Sequence, residues 1–207
     1  MPHGIELQPG FVDAETCRRW VDFLERQPRD WLDAFDHERS TADQVVRTAH
    51  PSRVTERVEL GELQIEINAM VRRAFTEWLA PRWGCRFAWF ETPYVLRYTT
   101  GGKYDVHADA DIWSEETPPY RVLDRDGSLL IYLNDGFTGG ELNFVNFEYA
   151  LRPVPGLLVA FPSDERYSHA AMPTTGGVRY AIVSWAYAHG RPRVRALPPE
   201  NSIAIEL

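Results

Sequence analysis

Beyond Gly84 the chain breaks into short apolar runs separated by Gly, Pro and Asp clusters, and this rhythm excludes most folds. The runs expected as strands are Arg86 to Phe90, Tyr94 to Tyr98, Tyr104 to Asp109, Ser128 to Leu133, Glu141 to Phe144, Leu157 to Phe161, Ser168 to Ala171 and Val178 to Tyr187. The last is apolar on both faces with one guanidinium, Arg179, at its start, which marks a buried strand. So many short strands with no helix between them argue for an antiparallel sandwich or barrel.

The first 84 residues read differently. Ile5 to Leu7 is a short strand candidate broken by Pro9-Gly10. Asp13 is a fair N-cap for a helix through about Gln27, with Cys17, Trp20, Val21 and Leu24 on one face, and Pro28 ends it. From Arg29 to Arg57 the pattern is mixed and polar, with Val45-Val46 as a strand candidate. A longer helix is expected from about Leu60 to Leu79, its Leu63, Ile67, Met70, Ala74, Phe75 and Trp78 at helical spacing, with Pro81 as its stop. Both helices are expected to support the outer face of the sheet.

Within the strand region, His107-Ala108-Asp109 puts an imidazole and a carboxylate two residues apart, on one face of an extended chain. If a later strand brings His169 alongside, three ligands cover one face of a metal and leave the other open. That is the two-His-one-carboxylate arrangement of non-haem Fe(II) oxygenases. Asp111 would share the same face if the strand continued. Pro173-Thr-Thr-Gly-Gly177 is a turn signal, which predicts that His169 and Arg179 occupy neighbouring strands. A buried arginine needs an anion, and its planar fork suits a carboxylate held at two points.

Five stretches agree in order and spacing with one family. They are Tyr98-Thr-Thr-Gly-Gly-Lys-Tyr104-Asp-Val-His107-Ala-Asp109, Leu129-Leu-Ile-Tyr132-Leu-Asn134, Gly139-Gly-Glu-Leu-Asn-Phe144, Pro155-Gly156 leading to Phe161, and His169 with Arg179 and Trp185. From about Pro93 to Tyr187 the chain resembles the Fe(II)- and 2-oxoglutarate-dependent dioxygenases, and among them the prolyl 4-hydroxylase-like enzymes.

The resemblance implies a mainly β (α+β) fold, a double-stranded β-helix or cupin-like jelly roll with supporting N-terminal helices. It implies one dioxygenase domain over 1–207, divided into a helical support region (1–84), the β-helix core (85–190) and a C-terminal tail (191–207). It implies Fe(II) on His107, Asp109 and His169, and 2-oxoglutarate and dioxygen as co-substrates, with ascorbate as an assisting reductant. Arg179 and Tyr132 would hold the distal carboxylate of 2-oxoglutarate, and Tyr98 would line its pocket. Trp185 would stand near the substrate, and Gly139-Gly140 would be structural.

The implied reaction is hydroxylation of an unactivated C–H, on a prolyl residue of a protein or peptide, with release of succinate and CO2. A free amino acid or small natural product is the alternative substrate, and a non-catalytic β-scaffold that binds a ligand or partner is a third reading. The segment Asp111 to Asp126 is long enough for a lid, with Trp113, Tyr120, Arg121 and Arg125 able to meet a ligand. A peptide substrate predicts an exposed groove beside the metal, and a small one predicts a closed pocket under this segment.

Charge and cysteine content narrow the partners. A net charge of -8 and a pI near 5.3 argue against a nucleic-acid binder, which needs a basic face. No stretch is long and apolar enough for a membrane span, and two cysteines do not make a disulfide framework, so a soluble cytoplasmic protein is expected.

Overall fold

The computed structural model describes residues 4–35, 46–112 and 118–205. Trp113, His3 and His37, and Val45 of the expected Val45-Val46 strand, lie outside the described residues.

Two antiparallel sheets face each other in a jelly roll. The major sheet runs, in spatial order, Glu6–Gln8, Leu158–Pro162, Gly127–Tyr132, Arg179–Ala188, Tyr94–Tyr98, Glu56–Val58 and Arg29–Trp31. The long Arg179–Ala188 strand pairs through Arg179 to Val183 with Tyr94–Tyr98, and through Ala186 to Ala188 with Phe87–Glu91. These two partners act as one strand interrupted at Thr92-Pro93, where proline has no N–H to give the ladder. The minor sheet runs Tyr149–Leu151, Leu142–Phe144, His169–Ala171, Lys103–His107 and Arg53–Val54.

Side-chain alternation divides the core in two. Leu129, Ile131, Tyr180 and Ile182 face the helices, packing with Trp20, Leu24, Ile67 and Phe75. Leu130, Tyr132, Ala181, Val183 and Trp185 face the minor sheet and meet Leu142, Phe144 and Phe161. The central strands are thus covered on both sides, which is why their sequences are apolar without alternation. Arg179 shares the inward parity of Ala181, Val183 and Trp185.

The first helix, Ala14–Leu24, starts as expected: Asp13 Oδ1 accepts from Thr16 N at 2.8 Å. The second departs from expectation, because Pro81 does not stop it. A 3-10 turn (Gly61–Leu63) leads into α-helix over Gln64–Arg73, a π-helical stretch over Ala74–Leu79, and a last turn, Ala80–Trp83, that contains Pro81. Proline clashes with the carbonyl four residues back in an α-helix. The wider π turn, in which Ala80 N bonds Phe75 O, relieves that clash and carries the helix to Gly84, which ends it at φ 59°.

The expected partition of the chain also changes. Arg29–Trp31 and Glu56–Val58 extend the major sheet and Arg53–Val54 the minor one, so the first 84 residues are not only helical support. Ser202–Ala204 pairs with Phe87–Glu91, so the C-terminal segment is partly sheet. Pro173 to Gly177 is not a simple turn. Thr174–Gly177 is a strand paired with Phe137–Gly139. His169 and Arg179 consequently belong to opposite sheets rather than to neighbouring strands.

Candidate active site

A cleft of about 850 Å³, including the space where it opens to solvent, lies between the sheets. His107, Asp109 and His169 stand in it with their ligand atoms within 4.8 Å of one another. Register produces the cluster. His107, the last residue of its strand, lies directly across from His169, and Asp109 follows just beyond the strand end. Each histidine Nε2 is 3.8 Å from an Asp109 carboxylate oxygen.

The tautomers are set by the backbone. His107 Nδ1 lies 2.8 Å from Asp105 O, and His169 Nδ1 lies 3.0 Å from Tyr167 O. A carbonyl only accepts, so both Nδ1 atoms carry the proton and both Nε2 lone pairs are free. Burial first, and His169 second, push the His107 imidazole down to about 3, leaving it neutral as a metal donor must be. Burial works to raise the Asp109 carboxyl and is outweighed by His169, His107, Arg125 and Ser128, which hold it below the usual carboxylate range. Ser128 Oγ donates to Asp109 Oδ2 at 2.6 Å and shares a 2.8 Å hydrogen bond with Ser163 Oγ. Two imidazoles with their Nδ1 atoms turned to backbone carbonyls, and one carboxylate, suit a divalent first-row cation such as Fe(II).

Asp111 stays outside the cluster. Its Oδ2 accepts from Glu165 N at 2.9 Å, and burial raises its carboxyl to about 6.

Arg179 lines the cleft from the major sheet and is 1% exposed. Its Nη2 donates to the Tyr132 hydroxyl at 3.3 Å, while Nε and Nη1 have no partner. The guanidinium carbon sits 4.6 Å from the Tyr98 ring centre and 5.1 Å from that of Tyr132. Among the described residues no carboxylate lies within ion-pair distance of it. An unpaired buried cation is costly, and a carboxylate would satisfy its free nitrogens. Since Tyr132 accepts from Arg179, its own hydroxyl hydrogen is free for the same anion. Gly140 makes room for this side chain, since a Cβ there would stand 3.2 Å from Arg179 Cδ. Gly139 makes the turn itself possible: at φ 69° its Cβ would lie 2.2 Å from Pro173 O.

Two residues expected to meet a ligand have protein partners of their own. Arg125 is clasped by Glu91, Nε to Oε1 at 2.5 Å and Nη2 to Oε2 at 2.7 Å, and lies 3.8 Å above the Trp185 ring. Its charge is neutralised and one face of Trp185 is covered, and both side chains line the cleft. Arg121 donates to Asp126 at 2.9 Å and to Leu123 O at 3.0 Å. The segment they border forms a small ribbon, Asp111–Ile112 against Tyr120–Arg121.

Sequence reading missed Glu91, Ser128 and Arg53. Glu91 carried a signal, a lone carboxylate closing the aromatic strand Phe87–Glu91. Ser128 and Arg53 carried none, because their meaning lies in pairings with distant residues.

The sequence model of the 2OG-Fe(II) oxygenase superfamily matches residues 93–187. Over 146 residues the chain is 30% identical to prolyl 3-hydroxylase 3 of Mus musculus, covering 60% of this chain and 19% of that protein. Over 96 residues it is 33% identical to a PKHD-type hydroxylase of Parvibaculum lavamentivorans, covering 45% and 42%. The chain thus spans less than half the length of these curated relatives. The fold is similar to that of the viral collagen prolyl hydroxylase of Paramecium Bursaria Chlorella virus-1, at TM-score 0.59 and 19% identity over 88% of this chain and 95% of that one. It is also similar to a Trichoplax adhaerens prolyl hydroxylase solved with a hypoxia inducible factor peptide fragment, at TM-score 0.61 and 16% identity over 89% and 83%. The matched residues span the strands from Tyr94 to Tyr187 that bear the His-Asp-His cluster and Arg179, and over that span the chain is similar to the 2OG-Fe(II) oxygenase superfamily.

Proposed function

We propose that the protein is an Fe(II)- and 2-oxoglutarate-dependent dioxygenase that hydroxylates an unactivated C–H on a prolyl residue of a protein or peptide. The observation that carries this reading is Arg179, whose buried guanidinium has two nitrogens without a partner in the same cleft as His107, Asp109 and His169. A scaffold that bound only a structural metal would gain nothing from that unpaired cation. The prolyl assignment is supported by the names of the relatives, prolyl 3-hydroxylases and a collagen prolyl hydroxylase. The free thiols Cys17 and Cys85 are in keeping with a reducing, cytoplasmic setting.

In this reading His107 Nε2, His169 Nε2 and the Asp109 carboxylate hold the iron. Bound Fe(II), with 2-oxoglutarate and O2, supplies the oxidising chemistry, converting the oxo acid to succinate and CO2 and placing one oxygen atom in the substrate C–H. The chain positions and shields. Asp105 O and Tyr167 O fix the ring orientations, and Ser128 and Arg125 hold Asp109. Arg179 and Tyr132 receive the distal carboxylate of 2-oxoglutarate, and the Tyr98 ring packs against that guanidinium. Phe144 and Phe161, with ring centres 5.8 and 4.8 Å from His169, keep water from the metal side of the minor sheet. No side-chain general base is needed.

The test is succinate release with Fe(II), ascorbate and 2-oxoglutarate, with and without proline peptides and free amino acids, beside Arg179→Ala and His169→Ala. Turnover stimulated by a proline peptide and lost in both variants is the expected result. Wild-type protein that binds neither a divalent metal nor 2-oxoglutarate overturns the reading.

A further inference from the structure

Three arginines are buried among the described residues, Arg53, Arg125 and Arg179. Arg125 has Glu91 and Arg179 is assigned to 2-oxoglutarate. Arg53, 8% exposed, lines the same cleft from the opposite sheet with no carboxylate within ion-pair distance among the described residues. Its buried Nε has no partner, and Nη1 reaches the Asp33 carbonyl only at 3.4 Å. The side chains around it are Tyr94, Tyr98 and Tyr104, with the Tyr94 hydroxyl in hydrogen-bonding reach, and these offer hydroxyls and ring faces but no carboxylate.

Register places this cation beside the metal cluster. Arg53 pairs with Tyr104 across the edge of the minor sheet, and its guanidinium carbon stands 4.6 Å from the Tyr104 ring centre. The same ring stacks on His107, with centroids 3.6 Å apart and planes 21° from parallel. An anion held by Arg53 therefore lies one aromatic ring away from His107. That is where the reacting end of a substrate must come.

We propose that Arg53 is a substrate anchor that binds a carboxylate, so that the accepted substrate is an acidic one. This rests on the dioxygenase reading and adds the substrate's charge to it. The carboxylate has two possible sources with the same chemistry: an Asp or Glu side chain next to a prolyl residue in a peptide, or the substrate's own carboxylate in a free amino acid. Desolvation has already been imposed on the guanidinium by the fold. Its planar fork can accept a carboxylate at two points, and a neutral substrate leaves it unpaired.

The test is calorimetric, on protein loaded with Mn(II) and 2-oxoglutarate in the absence of oxygen, so that no turnover is required. The probes are a blocked Ala-Pro-Ala peptide, its Asp-Pro-Ala and Ala-Pro-Asp counterparts, and free L-proline. Wild type is expected to bind a carboxylate-bearing probe at least about tenfold tighter than the neutral peptide. Arg53→Gln should abolish that preference and Arg53→Lys should restore part of it, with Mn(II) and 2-oxoglutarate affinities the same in all three proteins as the check on folding. Preference for an Asp peptide assigns a flanking acidic residue, and preference for L-proline assigns the substrate's own carboxylate. Equal binding of acidic and neutral probes, no binding of any probe, or a preference that survives Arg53→Gln overturns the anchor. Wild-type protein that fails to bind 2-oxoglutarate overturns instead the reading beneath it.

Discussion

Arg125 donates from Nη1 to the backbone carbonyl of Asp109 at 3.2 Å, so a buried cation holds the peptide that bears the carboxylate of the triad. That cation is itself fixed by Glu91 and by the Trp185 face beneath it. The position of Asp109 thus depends on a glutamate 18 residues earlier in the chain, in the Phe87–Glu91 strand.

Glu91→Gln is expected to weaken both fold and metal binding. Removing one partner of a buried pair leaves the other charge uncompensated, at about 3–5 kcal/mol, and Gln, which keeps one acceptor, should fall at or below the lower end. Loosening the group behind a ligand lowers metal affinity by about 10–100-fold. Urea denaturation of metal-free protein reads the first and Mn(II) titration the second. A stability loss with unchanged Mn(II) affinity would mean that the pair is only structural.

Arg179→Met separates binding from stability. The guanidinium is buried and two of its nitrogens are unpaired, so replacing it with an apolar chain of similar length should leave the metal-free protein as stable or more so. The affinity for 2-oxoglutarate should fall about a hundredfold or more, with Mn(II) binding retained. Tyr132→Phe removes one donor to the same carboxylate and should cost only about tenfold. Calorimetry with 2-oxoglutarate on Mn(II)-loaded protein checks both, and a destabilised Arg179→Met would point to a protein partner for the arginine.

The His-Asp-His cluster and Arg179 were legible because their chemistry is local: His107 and Asp109 are two residues apart, and Arg179 opens a continuous apolar strand. A β-sandwich or barrel was legible in outline, since short apolar runs mark strands whatever their partners, and only the family resemblance narrowed it to a jelly roll. What escaped was set by pairing. Arg53 acquires its place only by lying opposite Tyr104, some fifty positions away. Thr174–Gly177 reads as a turn because glycine and threonine there serve a bulged edge ladder with Phe137–Gly139 rather than a core. Pro81 was read as a helix stop because the sequence does not announce the π turn that accommodates it.

Gly140→Ala tests how tightly the Arg179 stem is confined. At φ 69° an added Cβ is strained, at about 1–2 kcal/mol, and it would also stand 3.0 Å from the Phe137 ring and 3.2 Å from Arg179 Cδ. The expected outcome is a loss of stability of that order together with a raised KM for 2-oxoglutarate. Thermal melts and a 2-oxoglutarate saturation curve measure the two. A KM that stays at the wild-type value would show that the arginine has room to shift.

Acid should destabilise the metal-free protein through His107. An unfolded histidine titrates near 6.5, and burial holds the folded one down to about 3. A depressed group contributes stability that is fully present above the unfolded value and is lost as pH falls through the window between the two. Below about pH 6.5 the unfolded chain therefore takes up a proton that the folded chain refuses, at a cost approaching about 1.4 kcal/mol per pH unit. His107→Asn removes that proton but keeps a polar side chain of similar reach. The stability difference between wild type and His107→Asn should thus move against wild type as pH falls from 7.5 to 5.0 in urea melts. A wild-type minus variant difference that is flat across this range would place the His107 titration near its ordinary value and remove the basis for reading the imidazole as a preformed neutral donor.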